Sequence, residues 1–182
     1  MQTPDWRSYL SLQQGGLLPA AWIDWLRDPG SFMRQLKRSG VLEPAVRVLA
    51  EQFVTVPEDE RQLLGLSATD TALVREVLIL SSYAVWMYAR TVVPRVTLAS
   101  KAELAELKDR SLGSVLFKDP TMQRGAFEIA RIYPDDDWHA YIQSLVNVGN
   151  ETFWARRSIF HVQQHPLLLT EVFLPDILTL TR

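Results

Sequence analysis

Two pairs of apolar runs constrain this chain more than any other feature. ALVREVLIL (72–80) and VWMYARTVVP (85–94) are separated only by SSYA, and WARRSIFHV (154–162) and PLLLTEVFL (166–174) only by QQH. β-Branched and aromatic residues dominate these runs, so each reads as a strand. Links this short join strands antiparallel, as hairpins. AVRVLAEQFVTV (45–56) and GAFEIARI (125–132) carry the same signal.

The intervening stretches read differently. Trp22, Trp25 and Leu26 share one helical face of PAAWIDWLRD, and Ser31 and Gly40 bracket a second helix as N-cap and stop. Ser100 with Glu103 forms a capping box that predicts a helix in ASKAELAELKD. SLGSVLF reads as a short helix with Ser111 at its cap. Trp138, Tyr141, Ile142 and Leu145 fall at helical spacing behind the acidic run 135–137. PEDERQ reads as a solvated loop, and His139 as a solvated side chain. The expected class is α+β: one domain over 1–182, with a single antiparallel sheet of five to six hairpin-connected strands and helices packed around an enclosed ligand pocket.

Three charges inside the strand runs are the most informative. By alternation, Arg75 shares a face with Val77 and Ile79. Arg90 shares one with Trp86, Tyr88 and Val92, and Glu171 with Leu167, Leu169 and Phe173. Charge on such faces needs a partner or a ligand. Each alone reads first as a structural ion pair; together they suggest an apolar cavity with a few convergent polar groups.

Composition narrows the chemistry. The chain has 182 residues, 47% hydrophobic and 22% charged, with net charge −2. That balance gives no basic footprint for nucleic acid. No cysteine is present, which removes disulfides, thiol catalysis and cysteine-type zinc sites. His161 and His165 are four apart but lie on strand and turn, so no metal is expected. No phosphate-binding loop or nucleophile elbow occurs, and no apolar run reaches membrane-spanning length. Residues 1–22 lack the charged stretch followed by an apolar one that marks a signal peptide, so a cytoplasmic protein is expected.

Several of these segments, VREVLIL, ARTVVPRVTL, SLGSVLF, FEIARI, FWARRSIF and PLLLTEVFLP, together resemble the chorismate pyruvate-lyase family over about residues 70–176, with a fainter likeness in WIDWLRDPGSFMRQLKRSG. The resemblance implies a monomeric, cofactor-free lyase that converts chorismate to 4-hydroxybenzoate and pyruvate, with no nucleic-acid or membrane partner. It implies that Arg75 clamps the ring carboxylate and that Leu112 offers a backbone N–H, as does Phe32 or Met33. It implies that Glu171 meets the ring 4-hydroxyl and that Arg90 meets the enolpyruvyl carboxylate. Residues 133–153 are longer than the family pattern, which raises the expectation of an altered lid or oligomer contact. The alternative is a non-catalytic domain that senses a small aromatic acid, as related folds do in bacterial transcription regulators.

Overall fold

A computed structural model describes residues 3–180 of the chain. Eight strands form one antiparallel sheet: β1 (Arg7–Ser8), β2 (Ala45–Val54), β3 (Ala72–Leu80), β4 (Val85–Pro94), β5 (Gln123–Arg124), β6 (Glu128–Ile132), β7 (Phe153–Val162) and β8 (His165–Phe173). Their order is β1-β6-β7-β8-β4-β3-β2, and β5 pairs with the end of β7. The six strands expected from the sequence are all present; β1 and β5, two residues each, carry no periodicity and were not foreseen. The expected α+β class with a single antiparallel sheet holds.

Both expected hairpins form. In the second, Val162 faces His165, leaving a two-residue turn of Gln163 and Gln164 with φ of 49° and 69°. Two positive φ values make the type I′ geometry that matches the twist of the flanking strands. Glutamine is a poor residue for it.

The helices divide between the two faces. On the front lie α1 (Tyr9–Gln14), α2 (Ala20–Arg27), α3 (Phe32–Arg38) and α6 (Gly113–Leu116). α2 buries Trp22, Trp25 and Leu26, the face expected from their spacing. α3 starts after Ser31, and Gly40, at φ 84°, stops it in the left-handed region that glycine enters freely. α4 (Glu58–Leu64) and α7 (Asp137–Leu145) cover the back, and α5 (Arg95–Ser100) follows β4.

Three local expectations fail for physical reasons. PEDERQ is not a solvated loop but the start of α4, whose Glu60 is buried against an arginine from β4. The Ser100–Glu103 capping box does not form: the Ser100 hydroxyl donates to Thr97 O, ending α5, and only a 3₁₀ turn, Ala102–Ala105, follows. His139 is fully buried, stacked on Phe153 at 4.3 Å, with Nε2 3.0 Å from Glu151 O. The long 133–153 segment packs α7 onto the back of the sheet, so it is no lid over the front.

The Gln163–Gln164 turn supplies a test. Replacing the pair with Asn-Gly relieves left-handed strain and should raise stability by about 1 kcal/mol, read as a higher urea midpoint. An unchanged midpoint would mean the turn carries no strain.

Candidate active site

The register brings two rows of side chains onto the front of the sheet. One runs Val77, Ala89, Glu171, Arg156 across β3, β4, β8 and β7; the next runs Arg75, Thr91, Leu169, Ser158. Over these rows lies a cavity of about 580 Å³ of empty space, counting its opening to solvent. Val77, Ile79, Met87, Leu116, Phe117, Phe160 and Leu169 make most of the wall apolar. The charged groups in it are Arg75, Arg124 and Glu171.

The starts of α3 and α6 form the roof, through Gly30–Met33 and Ser111–Gly113. They approach closely. A Cβ on Gly113 would sit 3.1 Å from the Phe117 ring and 3.4 Å from Ser31 Oγ, so a side chain there would crowd both. The first N–H groups of a helix have no partner within it, so both starts bring donors to the roof.

Glu171 is the most constrained of the charges. Arg156 grips it with both arms of its fork, Nε to Oε2 at 2.6 Å and Nη2 to Oε1 at 3.1 Å; Arg124 Nη2 adds a bond to Oε2 at 2.9 Å. Burial alone would raise the Glu171 pKa. The two guanidinium groups outweigh it and hold the carboxyl below its ordinary value. Glu171 is therefore ionised at neutral pH and cannot donate a hydrogen bond. Oε1 keeps a lone pair for an incoming donor.

The two arginines also hold the end of α2 and the segment joining it to α3. Arg156 Nη1 donates to Trp25 O (2.9 Å) and Asp28 O (2.6 Å), and Arg124 Nη1 to Pro29 O (3.0 Å). The Phe127 ring lies against both, 4.4 Å from the Arg124 carbon and 4.9 Å from that of Arg156. Phe160 takes the other contact with Arg124, at 4.6 Å.

Arg75 is 2% exposed. Its Nη2 donates to Lys108 O and to Arg110 O, anchoring the loop ahead of α6, and Nε lies 3.0 Å from Glu51 Oε2 on the neighbouring strand. Burial holds this guanidinium below its ordinary pKa, and Glu51 opposes that.

Arg90 is not in the cavity. One residue on from Ala89, it points to the back face, where Glu60 takes Nε and Nη2 at 2.9 and 3.0 Å and Glu76 takes Nη1 at 2.8 Å. Tyr141 donates to the other Glu76 oxygen at 2.6 Å. Burial works against the Arg90 charge, and the glutamates more than compensate, raising its pKa. The role expected for Arg90 at a ligand carboxylate is thus corrected: it is a structural ion pair behind the sheet. Arg75, Leu112, Phe32, Met33 and Glu171 do line one cavity. Arg124 and Arg156 were missed. Arg156 was legible as a second charge in WARRSIF, in register with Glu171 across the hairpin; Arg124, in a two-residue strand, had no pattern to reveal it.

Among the described residues, no three His, Asp or Glu side chains gather to hold a metal ion, and no helix is long and apolar enough to cross a membrane. The profile of the family described as chorismate lyase matches residues 6–182. The chain belongs to the chorismate lyase family. It is 34% identical to a probable chorismate pyruvate-lyase of Coxiella burnetii over 154 residues, 84% of this chain and 82% of that one. It is 35% identical to a Thiobacillus denitrificans protein of the same description, covering 88% and 86%. Among solved structures, the effector domain of PhnF from Mycobacterium smegmatis superposes with a TM-score of 0.63 at 16% identity, over 81% of this chain and 90% of that one. The ligand-binding domain of a putative GntR-family regulator from Bordetella bronchiseptica gives 0.56 at 14%, over 74% and 86%. At such identities the likeness to regulators is one of fold alone.

The ion triad makes stability depend on pH. Because the folded pKa of Glu171 lies below its unfolded value, its contribution is complete above the ordinary carboxylate range and is lost as pH falls through the folded value. Glu171→Gln leaves two buried guanidinium groups without a counter-charge and should cost about 3–5 kcal/mol at pH 7. The gap from wild type should narrow as the pH of denaturation is lowered from 7 to 3. A constant gap would mean that Glu171 is not ionised in the folded protein.

Proposed function

We propose that this member of the chorismate lyase family converts chorismate to 4-hydroxybenzoate and pyruvate in the front cavity. The observation that carries the reading is the placement of Arg75 and Glu171 in one apolar wall beneath two helix starts. It supplies a cation and N–H donors for a carboxylate and, apart from them, an acceptor for a hydroxyl. A ring bearing a carboxylate and a para-hydroxyl matches that polarity.

In this reading the ring carboxylate meets Arg75 and the backbone N–H groups of Leu112 and of Phe32 or Met33. Among the described residues nothing takes the two N–H bonds of Arg75 Nη1, which suits this contact. Glu171 Oε1 accepts the hydrogen of the 4-hydroxyl, which fixes the ring about its long axis. The apolar wall excludes water around the scissile ether. The C4 hydrogen leaves as a proton and its electron pair enters the ring. The C3–O bond breaks with its pair on the enol oxygen, and the released enolpyruvate takes one proton at its methylene carbon to become pyruvate. The change balances without an oxidant, reductant or second substrate, consistent with a cofactor-free enzyme. Aromatisation supplies the driving force, and the protein contributes orientation. One chain completes the cavity, which supports action as a monomer; the absence of a basic surplus supports a small molecule rather than nucleic acid as partner. In this reading the enzyme acts in the cytoplasm.

Incubating pure protein with chorismate and following 4-hydroxybenzoate absorbance tests the activity; binding without turnover would favour an aromatic-acid sensor. For the clamp, Arg75→Ala should weaken 4-hydroxybenzoate binding by about 2–5 kcal/mol by calorimetry. Lysine should rescue little, because it cannot hold the Lys108–Arg110 carbonyls and a carboxylate at once. Unchanged affinity in Arg75→Ala would remove Arg75 from the site.

A further inference from the structure

Resting on the proposed activity, and with Arg90 behind the sheet, we infer that Arg124 is the specificity residue for the second carboxylate of a dianionic substrate. It separates chorismate from the monoanionic product.

Charge favours an anion beside Arg124. Arg90 is balanced by Glu60 and Glu76, and Arg75 by Glu51. Arg124 and Arg156 share one carboxylate, Glu171. Asp28 also acts on Arg124, but it is only half-buried and its Oδ1 accepts from the Gly30 N–H at 2.7 Å. The buried triad therefore carries an excess positive charge, and an anion entering beside it would be stabilised.

Only one of the two arginines can be reached. Arg156 is 0% exposed, and its Nε, Nη1 and Nη2 are all bonded to Glu171 and the carbonyls of the α2–α3 segment. Arg124 lines the cavity. Of its five N–H donors three are used: Nε to Ser158 Oγ at 2.9 Å, Nη1 to Pro29 O and Nη2 to Glu171. Burial, the larger influence, and the like charge of Arg156 lower its pKa to about 10, while Glu171 opposes them. An added carboxylate would relieve that pressure.

Position sets Arg124 apart from Arg75. Arg75 and Ser158 stand three strand spacings apart on one row, about 14 Å between backbones, and Arg124 is bonded to Ser158. The two guanidinium groups thus enter from opposite flanks. With the ring carboxylate on Arg75 and the 4-hydroxyl on Glu171, the C3 substituent is ortho to that hydroxyl. It falls beside Glu171, and of the two arginines bonded to Glu171 only Arg124 lines the cavity. The enolpyruvyl carboxylate is there, and the enol oxygen leaves there. 4-Hydroxybenzoate has hydrogen at C3 and offers Arg124 nothing.

The test compares two ligands in wild type, Arg124→Gln and Arg124→Lys. Calorimetry gives Kd for 4-hydroxybenzoate, the monoanion, and for 3-(carboxymethoxy)-4-hydroxybenzoate, a stable dianion with its second carboxylate on the C3 ether. Arg124→Gln should lose at least tenfold more affinity for the dianion than for the monoanion, with KM for chorismate rising. Arg124→Lys should retain part of the dianion preference and, should the glutamine variant not fold, carries the same comparison. Equal losses for both ligands, or no loss for the dianion, would overturn the inference and leave Arg124 as a prop for Glu171. The ligand comparison does not depend on turnover. Wild-type protein that fails to consume chorismate would reject the proposed activity, and the Kd ratios would still decide the role of Arg124.

Discussion

Two guanidinium groups share the Glu171 carboxylate, and the front of the molecule is organised by that contact. Arg156 on β7 and Glu171 on β8 are directly opposite across the hairpin, and Arg124 reaches them from β5. Through their remaining nitrogens the arginines fasten the carbonyls of Trp25, Asp28 and Pro29. The triad thus closes a sheet strand, a hairpin and the roof segment ahead of α3 into one unit. A buried ion network of this kind contributes little net stability over well-packed apolar residues, yet breaking it is expensive. Its value lies in what it fixes: an ionised acceptor at a defined point of an apolar wall.

The same sheet carries a second set of charges on its back. Glu76, Arg90, Thr170 and Arg157 follow one another across β3, β4, β8 and β7, each one residue from a front-facing position. α4 docks on this row with Glu60 on Arg90 and Asp59 on Arg157 at 2.7 Å, and α7 adds Tyr141 on Glu76. Arg75 and Glu76 are neighbours in sequence and opposites in use. One reaches the cavity, and the other locks the strand that carries it.

That arrangement explains what the sequence revealed and what it hid. The hairpins were legible because short turns separate long β-branched runs. Arg75 and Glu171 were legible because a charge amid apolar alternation stands out. Alternation assigns residues to a common face, but it does not say which face is the cavity when both are covered, and β3 and β4 are buried almost throughout. Arg90 was misplaced for that reason. PEDERQ looked solvated because the partner of Glu60 lies 30 residues away on another strand. Arg124 was invisible because its place depends on β5 pairing with β7, a contact of two residues. The family resemblance supplied expected contacts for Arg75, Leu112 and Glu171, which the fold then brings to one cavity, but it offered nothing on the charge excess beside them.

The central claim is that this cavity is polar along one axis, with a carboxylate end at Arg75 and the helix starts and a hydroxyl end at Glu171. A crystal structure of the protein with 4-hydroxybenzoate measures it directly. The account predicts the ligand carboxylate on Arg75 and the roof N–H groups, and the hydroxyl within hydrogen-bond distance of Glu171 Oε1, with the Arg156–Glu171–Arg124 contacts intact. A ligand bound the other way round, with its carboxylate on Arg124 in place of Glu171, would contradict it.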